Sequence, residues 1–198
     1  MLLTKTQLEI LEIFCANITK SFSIRGLSKL LNKNYKVAYQ AMQGLIEKNI
    51  LKKDEHQLLK LNYQNNFSLL AYVESLRAER FLKKHKEIGL FVDEVIQKSP
   101  SGFFTLMLFG SYAAGRQSKR SDIDVLMIIE DIAQVEAVER NLKFMSENFG
   151  NFHVQVISKE SVKEMILRPG KLNVINETLN KHILFFGAED YYRLINQV

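Results

Sequence analysis

Between Leu108 and Ile129 the chain reads LFGSYAAGRQSKRSDIDVLMII, and this stretch limits the fold more than any other. The apolar run Phe103–Phe109 has the length of a buried strand and stops at Gly110-Ser111. A polar, basic loop follows. Asp122 and Asp124 then open a second apolar strand, Asp122–Glu130. Residues two apart in a strand point to one face, about 6–7 Å from each other. The two carboxylates therefore project together at the mouth of a sheet. Like charges held so close repel unless a cation joins them. Hard oxygen ligands of this kind suit Mg²⁺, which takes one or two carboxylates plus substrate phosphates. Gly110 lacks a Cβ and lets the backbone approach a phosphate. Ser111 offers a hydroxyl and an N–H to phosphate oxygens. A helix starting here would add its N-terminal amides. Arg116, Lys119 and Arg120 are candidates to neutralise a triphosphate or pyrophosphate. Taken singly, Asp-Ile-Asp also suits a turn or a half-exposed strand, and Gly-Ser any loop. The combination is restrictive: apolar strand, Gly-Ser, a ten-residue spacer ending in Ser121, Asp-Ile-Asp, apolar strand.

At these residues the chain resembles the nucleotidyltransferase superfamily that includes DNA polymerase β and the aminoglycoside nucleotidyltransferases. The match lies in Phe109-Gly110-Ser111 and Asp122-Ile123-Asp124-Val125. The short domain and compact spacer look most like the minimal nucleotidyltransferases of prokaryotes, and the resemblance covers about residues 100–198. It implies transfer of a nucleoside monophosphate from an NTP, ATP being the expected one, to an acceptor. Asp122 and Asp124 would be the catalytic carboxylates and would hold Mg²⁺ or Mn²⁺, while Gly110 and Ser111 would hold the triphosphate. Some such proteins are antitoxins that adenylylate a partner HEPN-domain toxin. The family usually carries a third carboxylate on the following strand. Here that strand reads Phe152-His153-Val154-Gln155-Val156-Ile157, and the expected position falls on Gln155. Gln155 cannot act as a base and is a neutral, weaker ligand. His153 lies on the same face and is either a substitute base or a strand histidine with a satisfied hydrogen bond.

Outside this stretch the charge is unevenly spread. The net charge is +5. Residues 1–65 hold ten Lys/Arg against five Asp/Glu, and the remainder is balanced. A basic segment beside a neutral one suggests a polyanion-binding module. The single cysteine, Cys15, excludes an internal disulfide. The N-terminus lacks a signal-peptide layout, and no apolar run approaches the ~20 residues of a membrane span. The expectation is a cytoplasmic protein with no membrane partner.

Periodicity predicts helices over Thr4–Ile18, Ser23–Leu31 and Tyr35–Lys48, then a hairpin within Ile50–Tyr63. That order resembles a prokaryotic winged helix-turn-helix. With Ala38, Met42 and Leu45 turned inward, Lys36, Tyr39, Gln40 and Gln43 face outward for a major-groove contact. Lys33 would sit near phosphate, and Lys52 and Lys53 on the wing. Such modules also serve as docking or dimer units, and a homodimer is one expectation. Residues 66–98 read as helical, with a break near Lys83–Glu87. Beyond Pro100, helices are predicted over Ile132–Phe149, Ser161–Leu167, Leu172–His182 and Asp190–Gln197, with a strand at Phe152–Ser158.

The expected architecture is α+β. It comprises a winged helix-turn-helix (1–65), a helical connector (66–99) and a small α/β nucleotidyltransferase domain with a mixed sheet (100–198). Two functions compete: a metal-dependent nucleotidyltransferase, and a non-catalytic DNA-binding regulator whose α/β domain senses nucleotide or docks a partner.

Overall fold

A computed structural model describes residues 2–99, 102–118, 120–167 and 173–197. The N-terminal part has the expected order of elements. Helix α1 (Lys5–Cys15) starts at Thr4, whose hydroxyl accepts from the Gln7 N–H while the Gln7 side chain accepts from the Thr4 N–H. This reciprocal cap is worth about 1 kcal/mol. Ser23 caps α2 (Ile24–Leu30), and Asn34 caps α3 (Tyr35–Glu47). Strands β1 (Leu51–Lys53) and β2 (Leu59–Leu61) form an antiparallel hairpin, joined by a bridge from Phe22 to Leu59. The predicted helical stretch is two helices, α4 (Phe67–Leu82) and α5 (Lys86–Lys98), broken at the predicted place.

The remaining residues form a four-stranded mixed sheet with helices on both faces. In chain order come β3 (Phe104–Phe109), the one-turn α6 (Gly110–Ala113), β4 (Ile123–Ile129) and α7 (Val135–Ser146). They are followed by β5 (Phe152–Ser158), α8 (Lys159–Ile166), α9 (Val174–Thr178), β6 (Ile183–Phe186) and α10 (Ala188–Ile195). The strand order is β5-β4-β3-β6. β4 pairs in parallel with β5, and β3 pairs antiparallel with both β4 and β6. No helix among the described residues is long and apolar enough to cross a membrane.

Two expectations need correction. The helix predicted over Leu172–His182 is, where described, only the five residues of α9. The apolar run after it is β6, which the sequence does not announce. Four apolar residues have no readable period, and the unpaired edge of β3 decides their state. The helix predicted over Ile132–Phe149 begins with a 3-10 turn at Ile132–Gln134 and ends at Ser146. The chain's two prolines, Pro100 and Pro169, which follow helix-like stretches of sequence, lie outside the described residues.

One sheet face, with Leu106, Leu108, Val125, Met127, Val154 and Val156, packs on α5 and α7 through Phe91, Val92, Val95 and Leu142. The other, with Met107, Phe109, Leu126, Ile128 and Leu184, packs on Tyr191, Tyr192 and Leu194 of α10. The same apolar cluster continues through Leu70 and Val73 of α4 into Ile10, Leu11, Phe14, Leu27, Met42 and Leu45.

A buried polar network sits within this second cluster. Glu74 on α4 accepts from Arg77 at 2.5 Å, from His182 Nε2 at 3.1 Å and from the Tyr192 hydroxyl at 2.9 Å. Arg77 also donates to the His182 carbonyl at 2.6 Å, and His182 Nδ1 lies 2.6 Å from the Thr178 carbonyl. Burial opposes ionisation of Glu74, but Arg77 and His182 outweigh it and hold its carboxyl at about 2. Burial pushes the neighbouring Cys15 thiol well above its usual range, so it stays protonated.

A depressed carboxyl stabilises the fold above its unfolded value, and that contribution disappears as pH falls towards the folded value. Unfolding free energy should therefore drop as pH is lowered from about 5 to about 2. Glu74→Gln should cost about 3–5 kcal/mol at neutral pH, because Arg77 loses its partner, and should flatten that acid slope. Urea titrations at several pH values measure both effects.

Candidate active site

The end of β3 and the start of β4 lie side by side, so Phe109 is paired with Asp124. On the other side of β4, Asp124 is paired with His153 of β5. Asp124 is thus centred among three strand ends. Its Oδ1 lies 3.2 Å from His153 Nδ1. Its Oδ2 lies against Gly110, whose φ of +69° is a left-handed value that favours glycine. A Cβ added at Gly110 would overlap the Asp124 carboxylate, with Cγ at 3.0 Å and Oδ2 nearer still. Gly110 therefore makes room for a carboxylate as well as for any phosphate. Asp122 is exposed just before β4, and its Oδ1 accepts from the Asn151 side chain.

The parallel register revises the reading of the third position. Gln155, expected there, is half-buried and paired with Leu126, one step deeper in the sheet. The side chain beside Asp124 is His153. Among the described residues no group of three His, Cys, Asp or Glu side chains is placed to hold a metal. Two hard carboxylates fit a Mg²⁺ that takes the rest of its shell from phosphate and water, and do not form a closed site.

The helix expected after Gly110-Ser111 is a single turn. Ser111 is half-buried, and its carbonyl accepts from the Arg116 N–H at 2.9 Å. Arg116 and Arg120 are exposed, and Lys119 lies outside the described residues. Gly110 and Arg116 line a cavity of about 270 Å³ completed by Lys20, Asn176, Glu177, Asn180 and Lys181. Sequence reasoning missed Lys20, Lys181 and Asn151. No local pattern marks them, because each reaches the site only through tertiary packing.

In the N-terminal part, Lys36, Tyr39 and Gln40 are exposed on α3 and Gln43 is half-buried. Tyr35 stacks on Tyr39 at 6.0 Å between ring centroids. Lys52 and Lys53 are exposed on β1. Lys33 is paired with Glu9 at 2.9 Å, which offsets its charge.

Residues 88–184 match the family model described as Nucleotidyltransferase domain, so the chain carries a nucleotidyltransferase domain of the DNA polymerase β superfamily there. The match runs from α5 into β6 and contains Gly110, Asp122, Asp124 and His153. No curated protein and no solved structure matches the chain.

Gly110→Ala should displace the Asp124 carboxylate and strain the backbone, destabilising the fold by about 1–3 kcal/mol. Adding Asp124→Ala to Gly110→Ala removes the overlap and should recover part of that loss. Thermal melts of the two variants and of Asp124→Ala alone provide the comparison.

Proposed function

We propose that the domain is a metal-dependent nucleotidyltransferase that moves a nucleoside monophosphate, AMP from ATP, onto a hydroxyl of a protein or small-molecule acceptor. The reading is carried by the seating of Asp124 against Gly110, beside a cavity rimmed by cations. The acceptor oxygen bonds to the α-phosphorus, the bond to the bridging oxygen breaks, and pyrophosphate leaves. Asp122 and Asp124 hold Mg²⁺ or Mn²⁺, which when bound withdraws charge from the phosphoryl oxygens. Gly110, Ser111, Arg116 and Arg120 bind and orient the triphosphate. His153 donates from Nδ1 to Asp124 and keeps Nε2 to accept the proton of the acceptor hydroxyl. Gln155 has no such capacity.

In this reading residues 1–65 are a winged helix-turn-helix that binds DNA, with α3 entering the major groove and the β1–β2 hairpin as the wing. The excess of basic residues and the exposed Lys36, Tyr39, Gln40, Lys52 and Lys53 support it. The missing third carboxylate favours a second reading, a DNA-binding regulator that binds nucleotide without turnover.

Incubation with α-labelled ATP, Mg²⁺ and acceptors, HEPN-domain proteins and small polyols included, tests the enzyme. Label should pass to an acceptor, and Asp124→Asn should lower the rate by about 100-fold or more. Metal-dependent ATP binding without transfer would select the regulator, and equal binding by wild type and Asp122→Asn/Asp124→Asn would refute the site. For DNA, Lys52→Ala/Lys53→Ala should weaken binding on all sequences and flatten the salt dependence, as loss of phosphate contacts does. Tyr39→Ala or Gln40→Ala should instead reduce preference for a specific site, by about 1–3 kcal/mol. Gel shifts at two salt concentrations separate the two classes.

A further inference from the structure

We infer that the nucleotide site is composite: Lys20, from the loop between α1 and α2, joins Arg116 and Lys181 around the polyphosphate chain of a nucleoside triphosphate. This rests on the nucleotidyltransferase reading and adds to it a residue outside the matched domain. The 270 Å³ cavity has Gly110 in its wall, and Gly110 touches the Asp124 carboxylate. A ligand in the cavity is therefore next to the proposed reacting centre. The volume is below the roughly 300 Å³ of sites that enclose a whole drug-sized ligand. It suits a phosphate chain whose nucleoside extends beyond it.

Charge points the same way. Lys20, Arg116 and Lys181 all line the cavity, and among the described residues Glu177 is the single carboxylate lining it. None of the three cations has an ion-pair partner among the described residues. Three cations around one cavity repel each other, and a multiply charged anion relieves that repulsion.

Lys20 is also held in place. On one side of it, the Ile18 N–H donates to the Leu179 carbonyl at 3.1 Å, and Thr19 and Asn180 exchange side-chain hydrogen bonds at 2.8 and 3.0 Å. On the other, Phe22 and Leu59 exchange backbone bonds at 2.9 and 2.8 Å. Across the seam the Lys181 N–H donates to the Ala16 carbonyl at 2.7 Å. Lys181 has φ +79°, a left-handed conformation costly for a residue with a Cβ. The contact that fixes this backbone is made by the N-terminal part, so both lysines depend on the same docking.

Calorimetry on the full chain tests the inference, with inorganic tripolyphosphate and with a non-hydrolysable ATP analogue plus Mg²⁺ as probes. Lys20→Ala should weaken both by about tenfold, the loss of one charge-assisted contact. Lys181→Gly, which also eases the left-handed backbone, should act similarly. Lys20→Arg should restore most of the affinity, and Lys5→Ala, at an exposed lysine that does not line the cavity, should leave it unchanged. Thermal melts confirm that the variants are folded. If the wild type binds both probes and Lys20→Ala binds them equally well, the composite site is wrong while the nucleotidyltransferase reading stands. If Lys5→Ala weakens binding as much as Lys20→Ala, net charge accounts for the effect and the composite site is again wrong. If the wild type binds neither probe, the nucleotidyltransferase reading itself falls.

Discussion

Glu74 is fully buried, and a carboxylate so placed is tolerable only if several donors replace water. Its donors come from different parts of the chain: Arg77 one turn along α4, His182 at the entrance to β6, and Tyr192 on α10. Satisfying one charge therefore requires three segments to be docked together. Arg77 completes the link by reaching the His182 carbonyl. This pins the chain between α9 and β6, the segment that also carries Asn180 and Lys181. The N-terminal part meets this segment, and the cavity lined by Gly110 and Arg116 opens there.

The site depends on that docking at one end and on strand register at the other. Asp124 is flanked by Phe109 and His153 because β3 and β4 run antiparallel while β4 and β5 run parallel. A one-residue slip would turn Asp124 to the opposite face, into the cluster around Val125 and Val154. Burial of Leu126 and Ile128 on one face, and of Val125 and Met127 on the other, opposes such a slip. The apolar residues of β4 thus aim its carboxylate, which gives core packing a direct part in the geometry of the candidate site.

The N-terminal part is tied to the site by more than chain connection. Its apolar residues share a cluster with one face of the sheet, and the loop after α1 is hydrogen-bonded to the segment before β6. An amphipathic helix of 16 residues, α4, lies between them and packs on α1, α10 and β6. Any ligand that tightens the cavity acts on both sides of this seam, because backbone hydrogen bonds cross it.

Much of the architecture was legible in the chain. The first three helices were legible because apolar residues recur at helical spacing, a signal that near neighbours carry, and in the structure Thr4, Ser23 and Asn34 cap them. Gly110, Ser111, Asp122 and Asp124 were legible because one strand end and one strand start sit close together in sequence. What lay beyond reach was settled by contacts distant in sequence. Ile183–Phe186 became a strand because β3 offered an open edge. His153, and not Gln155, came to lie beside Asp124 because the register of two parallel strands is set by their packed faces. Lys20 and Lys181 met at one cavity because a buried carboxylate and a shared apolar cluster hold the two parts of the chain together. The sequence by itself determined the local elements and the short-range motif, whose energetics involve near neighbours. The tertiary structure decided which distant side chains complete the site, because burial and pairing act on the folded surfaces as a whole.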